Sequence, residues 1–148
     1  MFVNIWGKNI WYDIYGAEHS DTLLYLHGGP GASSLDFVNQ AKALSGKMKV
    51  VIFDQLGVLR SDGIAENESY SMEYQVEMIE EMRKILGIEK WSVLGHSYGG
   101  MLAVLYASAC PDSVHKIILE CPSLWFEDSA RSTACLLYTS PSPRDVEE

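Results

Sequence analysis

The sequence predicts an α/β fold in which helices cover both faces of a mostly parallel sheet. The runs at residues 22–26 and 49–53 are apolar without alternation, which is typical of strands buried on both faces. Helical patterns separate these runs at short spacing, as in consecutive β-α-β units. The composition agrees, because 47% of the 148 residues are hydrophobic, enough for the core of one globular domain.

Six strands are predicted from short runs rich in aromatic and β-branched residues. The first two form an antiparallel pair at one sheet edge, with a turn at Gly7 and Lys8. The later strands are buried and parallel. In chain order the predicted strands are residues 5–6, 9–15, 22–26, 49–53, 91–94 and 114–119.

Three helices are predicted between and after the later strands. Ser33 or Ser34 caps the first helix, and Gly46 ends it. Ser71 caps the second, an amphipathic helix that Gly87 closes. The third follows the fifth strand and is apolar around most of its surface, which indicates a buried helix.

The fifth strand joins the third helix through Gly95, His96, Ser97, Tyr98 and Gly99. A Gly-x-Ser-x-Gly pattern in this strand-to-helix setting marks a nucleophile, and the serine is expected in a tight, strained turn. The N–H of Tyr98, at the helix N-terminus, would stabilise a developing oxyanion. The alternative is a glycine-rich helix start in which Ser97 is only a cap.

A second glycine-rich segment, residues 27–31, follows the third strand. It lacks the Gly-Lys-Ser/Thr ending of a phosphate loop, so phosphate binding is the weaker interpretation. The favoured one is a loop whose backbone N–H groups complete an oxyanion hole. His27 is expected to brace this loop by hydrogen bonding, and Asp54 to be a satisfied polar group at a strand end. Four features fall at the carboxyl ends of strands, where parallel sheets collect functional groups. They are residues 27–31, residues 54–57, Ser97 and Glu120.

Three motifs carry a family resemblance. They are H-G-G-P-G at residues 27–31, D-Q-L-G at residues 54–57 followed by Arg60-Ser61-Asp62, and G-H-S-Y-G-G-M-L-A at residues 95–103. With them the chain resembles the α/β-hydrolases, and within these the proline iminopeptidase group of serine aminopeptidases, over residues 2–130. The resemblance implies that Ser97 is the nucleophile and that the N–H groups of Gly29 and Tyr98 are the oxyanion donors. It also implies a small peptide or amide substrate, and this chemistry needs no metal or organic cofactor.

Two departures from the family are expected to matter. Leu59 stands where the family often has glycine, and it is not expected to reach the positive φ that glycine allows. We therefore expect this loop to differ from that of the family. Tyr98 stands where the family often carries tryptophan, so the wall of the pocket is expected to be altered.

The family's acid and histidine follow a helical lid inserted after the strand that ends near Leu119, in the order nucleophile, acid, histidine. The chain has four histidines: His19, His27, His96 and His115. None of them is expected to deprotonate Ser97. Glu120 stands where some hydrolases of this fold place the acid, but we expect no histidine for it to orient, so this role is the weaker interpretation.

The predicted fold is therefore the N-terminal portion of an α/β-hydrolase, without lid and C-terminal strands. Residues 135–145 read C-L-L-Y-T-S-P-S-P-R-D and resemble a translated sequencing adapter, the alternative being an ordinary Ser/Pro-rich linker. We predict a partial core domain at residues 1–134 and a non-native tail at 135–148. Without a base, and with its last strand as an open edge, the chain is expected to be nearly inactive and poorly soluble.

Charge and composition exclude several classes of partner. A net charge of −9 without a basic cluster argues against nucleic acid. There is neither a membrane-length apolar run nor a signal-peptide pattern, so a cytoplasmic protein without a membrane partner is predicted. The three cysteines lack metal-ligand spacing and are expected to be free thiols. The sequence leaves the oligomeric state open.

Three functional hypotheses follow. The first is a serine hydrolase that acts by acyl transfer through Ser97 and releases N-terminal residues such as proline from peptides. The second is an esterase or lactonase of the same fold, because function depends on the site and its lid. The third is a non-catalytic binding fragment. Ser97 disfavours epoxide hydrolases and haloalkane dehalogenases, which use a carboxylate nucleophile at that position.

Overall fold

The computed structural model describes residues 1–29, 32–68 and 70–125, which form one six-stranded sheet flanked by helices. The strands are β1 (Phe2–Ile5), β2 (Lys8–Tyr15), β3 (Thr22–Leu26), β4 (Lys49–Phe53), β5 (Trp91–His96) and β6 (Val114–Glu120). The helices are α1 (Val38–Leu44), α2 (Met72–Ile85) and α3 (Tyr98–Ala109), with 3₁₀ turns at Ser34–Phe37 and Pro111–Ser113. The predicted tail at residues 135–148 lies outside the described residues.

The strands are arranged in the order β1-β2-β4-β3-β5-β6. The pairs β1–β2 and β2–β4 are antiparallel, and β4–β3, β3–β5 and β5–β6 are parallel. The predicted mostly parallel sheet with an antiparallel pair at one edge is confirmed. Parallel order brings the carboxyl ends of β3, β4, β5 and β6 to one rim of the sheet, where the candidate site lies.

The β1–β2 turn differs from the prediction by one residue. Trp6 and Gly7 form the turn, with φ values of 51° and 87°, and Ile5 pairs with Lys8. A two-residue hairpin turn of the type that matches strand twist requires positive φ at both central residues. Trp6 is therefore a turn residue. The first strand runs from Phe2 to Ile5 rather than over the predicted residues 5–6.

Hydrophobic cores lie on both sides of the sheet. The larger core packs β3, β4 and β5 against α2 and α3, and it includes Leu24, Leu26, Val51, Val93, Ile79, Met82, Leu102 and Tyr106. The smaller core packs the opposite face of β3 and β4 against α1, and it includes Leu23, Tyr25, Val50, Ile52, Phe37 and Ala41. Both faces of β3 and β4 are thus covered, which explains why neither strand alternates with polar residues.

The helices follow their predicted caps but not every predicted face. Ser33 caps the turn before α1, and Ser71 caps α2 by accepting a hydrogen bond from the N–H of Tyr74. Ile85, an apolar residue of the amphipathic helix α2, is 49% exposed, and Leu105 of the apolar helix α3 is 39% exposed. Hydrophobicity all around α3 is therefore not matched by burial all around it. No helix of the described residues combines the length and apolarity needed to span a bilayer.

Strand β6 forms one edge of the described sheet. It pairs with β5, and within the described residues no strand lies on its other side. Ile117, Ile118 and Leu119 are between 37% and 45% exposed. An apolar strand with unpaired backbone groups is prone to association with other chains, so low solubility remains our prediction.

A carboxylate on α2 ties together three elements on the side of the larger core. Glu80 accepts hydrogen bonds from Arg83, from the Tyr106 hydroxyl at 2.7 Å and from the Ser113 hydroxyl at 3.2 Å. Tyr106 lies on α3, and Ser113 lies in the turn before β6. The bonds from the Arg83 guanidinium, more than those from the two hydroxyls, lower the pKa of Glu80 to about 2.

We expect this cluster to make folding stability fall at acid pH. Because the pKa of Glu80 is lower in the folded chain, its contribution is present above pH 4.5 and is lost as the pH falls toward 2. The loss is on the order of 3 kcal/mol of unfolding free energy. Urea unfolding of Glu80→Gln between pH 6 and pH 2 should lack most of this dependence, whereas Glu77→Gln, at an exposed position on α2, should keep it. Equal pH dependence in both variants would contradict the assignment.

Candidate active site

Ser97 is the single residue between β5 and α3. Its backbone has φ 51° and ψ −114°, a conformation that costs non-glycine residues about 1–3 kcal/mol. The predicted strained strand-to-helix turn is thus confirmed. A regular helix start with Ser97 as its cap is excluded, because the Ser97 side chain makes no capping hydrogen bond.

Two glycines allow the backbone to approach closely around this turn. A Cβ atom on Gly99 would lie 2.6 Å from the carbonyl carbon of Leu26 and 2.7 Å from the carbonyl oxygen of His27. A Cβ atom on Gly95 would lie 2.6 Å from the Cα atom of Gly100. Real Cβ atoms do not approach backbone so closely, so both positions require glycine.

A short segment that begins with the last residue of β6, residues 120–123, holds the backbone of Ser97 at both ends. The Ser97 N–H donates to the Glu120 carbonyl, and the Ser97 carbonyl accepts from the Ser123 N–H, both at 3.0 Å. Cys121, inside this segment, has φ 43°. We call residues 120–123 the β6 bracket, and it stabilises the strained turn. Sequence reasoning missed it because hydrogen bonds between backbone groups leave no side-chain signal.

The proposed oxyanion donors lie beside this turn. Among the described residues, neither the Gly29 N–H nor the Tyr98 N–H donates a hydrogen bond to another group. The glycine loop lies against the nucleophile, since a Cβ atom on Gly28 would be 3.3 Å from the Cβ atom of Ser97. Two unpaired N–H groups next to a serine hydroxyl can stabilise an alkoxide. Their convergence on one point about 3 Å from each N–H remains our prediction.

His27 braces the start of the glycine loop, as predicted. Its ring is buried, with Nδ1 2.6 Å from the Gly28 carbonyl and Nε2 3.0 Å from the Gln55 N–H. The side-chain amide of Gln55 also donates to the His27 carbonyl at 3.0 Å. Burial lowers the pKa of His27, because the charged ring loses its hydration.

Asp54 is the satisfied polar group that the sequence predicts. It is fully buried and accepts hydrogen bonds from Arg60 Nε at 2.6 Å and from the Ser34 hydroxyl at 2.7 Å. Burial alone would raise the pKa of Asp54, but the bonds from Arg60 and Ser34 outweigh it and hold the pKa below its ordinary value. The Arg60 guanidinium also lies 3.2 Å over the Trp11 ring. This ion pair fixes the loop after β4.

The expectation for Leu59 was wrong. Its φ is 45°, so leucine adopts the left-handed conformation that we expected only of glycine. Such a conformation costs a non-glycine residue about 1–2 kcal/mol. Neighbouring contacts compensate, because Arg60 is bound to Asp54 and the Ser61 N–H donates to the Val58 carbonyl.

We therefore expect Leu59→Gly to stabilise the protein. The Leu59 side chain is 64% exposed, so little burial is lost. Relief of the left-handed strain should exceed the entropy cost of glycine by about 0.5–1 kcal/mol. Urea unfolding should show this gain in Leu59→Gly and not in Leu59→Ala, which keeps the Cβ atom. A destabilised glycine variant would contradict this account of the loop.

Tyr98 connects the strand-to-helix turn at Ser97, which we call the elbow, to α2. Its hydroxyl donates to the Gln75 side-chain carbonyl at 2.9 Å and lies 3.1 Å from the Met72 sulfur. Burial raises the pKa of Tyr98. A tryptophan could not make the same hydroxyl contact, so the substitution changes what lines this wall. Its effect on a bound substrate remains a prediction.

No histidine of the described residues forms a hydrogen bond with the Ser97 hydroxyl. A histidine does lie beside Glu120, because His96 Nδ1 is 3.4 Å from its carboxylate. The two do not reach hydrogen-bond geometry, and His96 Nδ1 has no partner of that kind among the described residues. The described part of the chain thus places no histidine as a base for Ser97, and the catalytic roles of Ser97, Gly29 and Tyr98 remain our prediction.

Cavity size does not identify this site. A groove of about 550 Å³ lies at the opposite ends of the strands, where Thr22, Trp91 and His115 line it. A smaller cavity lies in the larger core, between Ile79 and Leu102. Ser97 lines neither of these. The site is recognised by the chemistry and strain of the elbow.

Comparison with known proteins agrees with this architecture. Residues 21–142 match the family model described as alpha/beta hydrolase fold. A proline iminopeptidase of Saccharolobus solfataricus is 39% identical over 108 residues, which cover 72% of this chain and 35% of that relative. A proline iminopeptidase of Heyndrickxia coagulans is 30% identical over 152 residues, covering 99% of this chain and 50% of the relative. The chain thus spans between 35% and 50% of these curated relatives.

Solved structures of other hydrolases share this fold. An alpha/beta hydrolase, MGS-M2, from a Medee basin deep-sea metagenome library matches with a TM-score of 0.74 and 25% identity, over 80% of this chain and 43% of that protein. A variant of an epoxide hydrolase from Bacillus megaterium matches with a TM-score of 0.74 and 27% identity, over 80% of this chain and 41% of that protein. The architecture is thus shared by hydrolases that act on different substrates.

Proposed function

Because the chain belongs to the alpha/beta hydrolase fold family, we propose that it carries the nucleophile and oxyanion donors of a serine hydrolase. The observation that supports this most is Ser97 at φ 51° between β5 and α3, held by the β6 bracket. A strained serine at a strand-to-helix turn is costly to stability and is the arrangement expected of an exposed nucleophile.

The proposed reaction is acyl transfer. A base removes the proton of the Ser97 hydroxyl as its oxygen bonds to the substrate carbonyl carbon, and the oxyanion lies between the N–H groups of Gly29 and Tyr98. The carbon–nitrogen bond then breaks, and the base returns the proton to the leaving amine. Water hydrolyses the resulting ester. We propose that a histidine outside the described residues is this base.

The proposed substrate is a small peptide or amide with a free N-terminal residue such as proline. The support is the similarity to two proline iminopeptidases, together with the three motifs through which the sequence resembles that family. We further propose that the protein is cytoplasmic, that residues 1–134 are the core domain and that 135–148 is a tail. A chain that ends at residue 134 should then unfold in urea with an unchanged midpoint.

The second candidate is an esterase or lactonase of the same fold. An aminopeptidase must bind a free ammonium group, and among the described residues the carboxylates at the rim offer little for it. Asp54 is already paired with Arg60, and Glu120 is a single carboxylate beside His96. Glu127 and Asp128, two acids that are too few to form a site for an ammonium group, lie outside the described residues.

Hydrolysis of matched substrates separates the two candidates. Proline arylamide, its N-acetylated form and a simple aryl ester should be tested with the 148-residue chain and with a longer product of the same gene. We expect low turnover by the 148-residue chain and a preference of the longer product for the free amine. A preference for the ester, with no discrimination by the amine, would favour the second candidate.

A further inference from the structure

His27 connects two backbone groups that belong to different segments. Nδ1 is 2.6 Å from the carbonyl oxygen of Gly28, and Nε2 is 3.0 Å from the backbone nitrogen of Gln55. Because a backbone N–H can only donate, Nε2 must accept, and Nδ1 must therefore carry the hydrogen that it donates to Gly28. The geometry thus requires a neutral imidazole in one tautomer.

The bond to Gly28 also fixes the neighbouring N–H. The Gly28 carbonyl and the Gly29 N–H belong to one peptide unit, which is planar and trans. They point in opposite directions, so an anchor on the carbonyl sets the direction of the N–H. A hydrogen bond to the carbonyl also polarises the peptide and makes its N–H a better donor.

We propose that His27 is a positioning residue that directs the Gly29 N–H toward the oxyanion through the hydrogen that its Nδ1 donates to the Gly28 carbonyl. The proposal rests on the proposed acyl transfer through Ser97. It goes beyond bracing, because it assigns a specific hydrogen atom of His27 to a specific donor of the site. Without this bond the Gly28–Gly29 peptide could rotate, since Gly29 is exposed and its N–H makes no other described bond.

Protonation would break this arrangement. A second ring N–H at Nε2 would face the Gln55 N–H, so one of the two groups would have to move. Asp54 after β4 and Asp36 in the turn before α1 favour the charged ring, but burial outweighs them and lowers the pKa of His27. His96 of β5 also lies against Gly28. The neutral form therefore persists below pH 6.5. As the pH falls through the lowered pKa, the bond between Nε2 and Gln55 is lost, whereas Nδ1 keeps its hydrogen.

Two substitutions separate the two ring nitrogens. In His27→Asn the side-chain amide can still donate to Gly28 but cannot reach Gln55. In His27→Gln the longer amide can still accept from Gln55 but loses the position from which Nδ1 donates. Urea unfolding of both variants controls for loss of global stability.

The decisive measurement is the ¹⁵N order parameter of the Gly29 N–H in the full chain. We expect about 0.8 in the native chain and in His27→Asn, and below about 0.6 in His27→Gln. Equal order in the two variants would overturn the proposal.

Turnover by a longer product of the gene gives an independent readout. His27→Gln should lower kcat by up to about 100-fold with KM changed less than about twofold, because the lost interaction exists mainly in the transition state. His27→Asn should keep at least ten times the kcat of His27→Gln. Hydrolysis that survives Ser97→Ala would refute the proposed function. The contrast in Gly29 order would still test the role of His27, because it is measured without turnover.

Discussion

Ser97→Ala is expected to lower the turnover of any hydrolytically active product of this gene by about a millionfold. The reason is that, in the proposed reaction, the Ser97 hydroxyl forms the covalent bond to substrate. Arylamide hydrolysis measures the loss. Ser45→Ala is the matched control, because the Ser45 hydroxyl makes a single hydrogen bond at the end of α1 and lies away from the rim.

The same substitution should leave the fold almost unchanged. The Ser97 side chain makes no capping bond, and the β6 bracket binds its backbone rather than its hydroxyl. The urea midpoint of Ser97→Ala should therefore match that of Ser45→Ala. Hydrolysis retained by Ser97→Ala would mean that another residue carries the chemistry.

Gly99→Ala is expected to prevent folding, or to lower the unfolding free energy by more than about 4 kcal/mol. Its Cβ atom would overlap the Leu26 and His27 backbone, which lies in the centre of the sheet and cannot move aside. Far-ultraviolet circular dichroism with urea unfolding measures the effect.

Two other glycines provide graded controls. A Cβ atom on Gly100 would meet the Pro122 side chain at 2.7 Å, so Gly100→Ala should destabilise by less. A Cβ atom on Gly46 would meet nothing within 4 Å, so Gly46→Ala should be neutral or stabilise by up to about 1 kcal/mol. If all three substitutions cost the same, close approach at the elbow is not what Gly99 provides.

The sequence predicts the buried elements of this fold best. Strands β3 and β4 begin and end where their apolar runs do, because burial on both faces leaves an unbroken hydrophobic signal. The edge is harder to predict. Strand β1 extends back to Phe2, which is 60% exposed, and pairing rather than burial decides its bounds.

The misses at the site have a common physical cause. The positive φ of Leu59 is imposed by the ion pair of the next residue, Arg60, which no local preference reveals. The proximity of His96 to Glu120 depends on the register of β5 against β6, which the sequence does not specify. Tertiary contacts overrule local propensity at both positions, whereas Ser97 was found because its motif and its flanking elements agree.

The β6 bracket makes the nucleophile dependent on the outermost strand of the described sheet. The amide hydrogen of Ser97 is shielded by the Glu120 carbonyl, so its exchange with solvent requires β6 to open locally. Edge strands open at lower free energy than central ones, and each opening frees the Ser97 backbone to relax from its strained conformation. In the proposed function, the time that Ser97 spends in its strained conformation is thus set by the cooperative opening of β6.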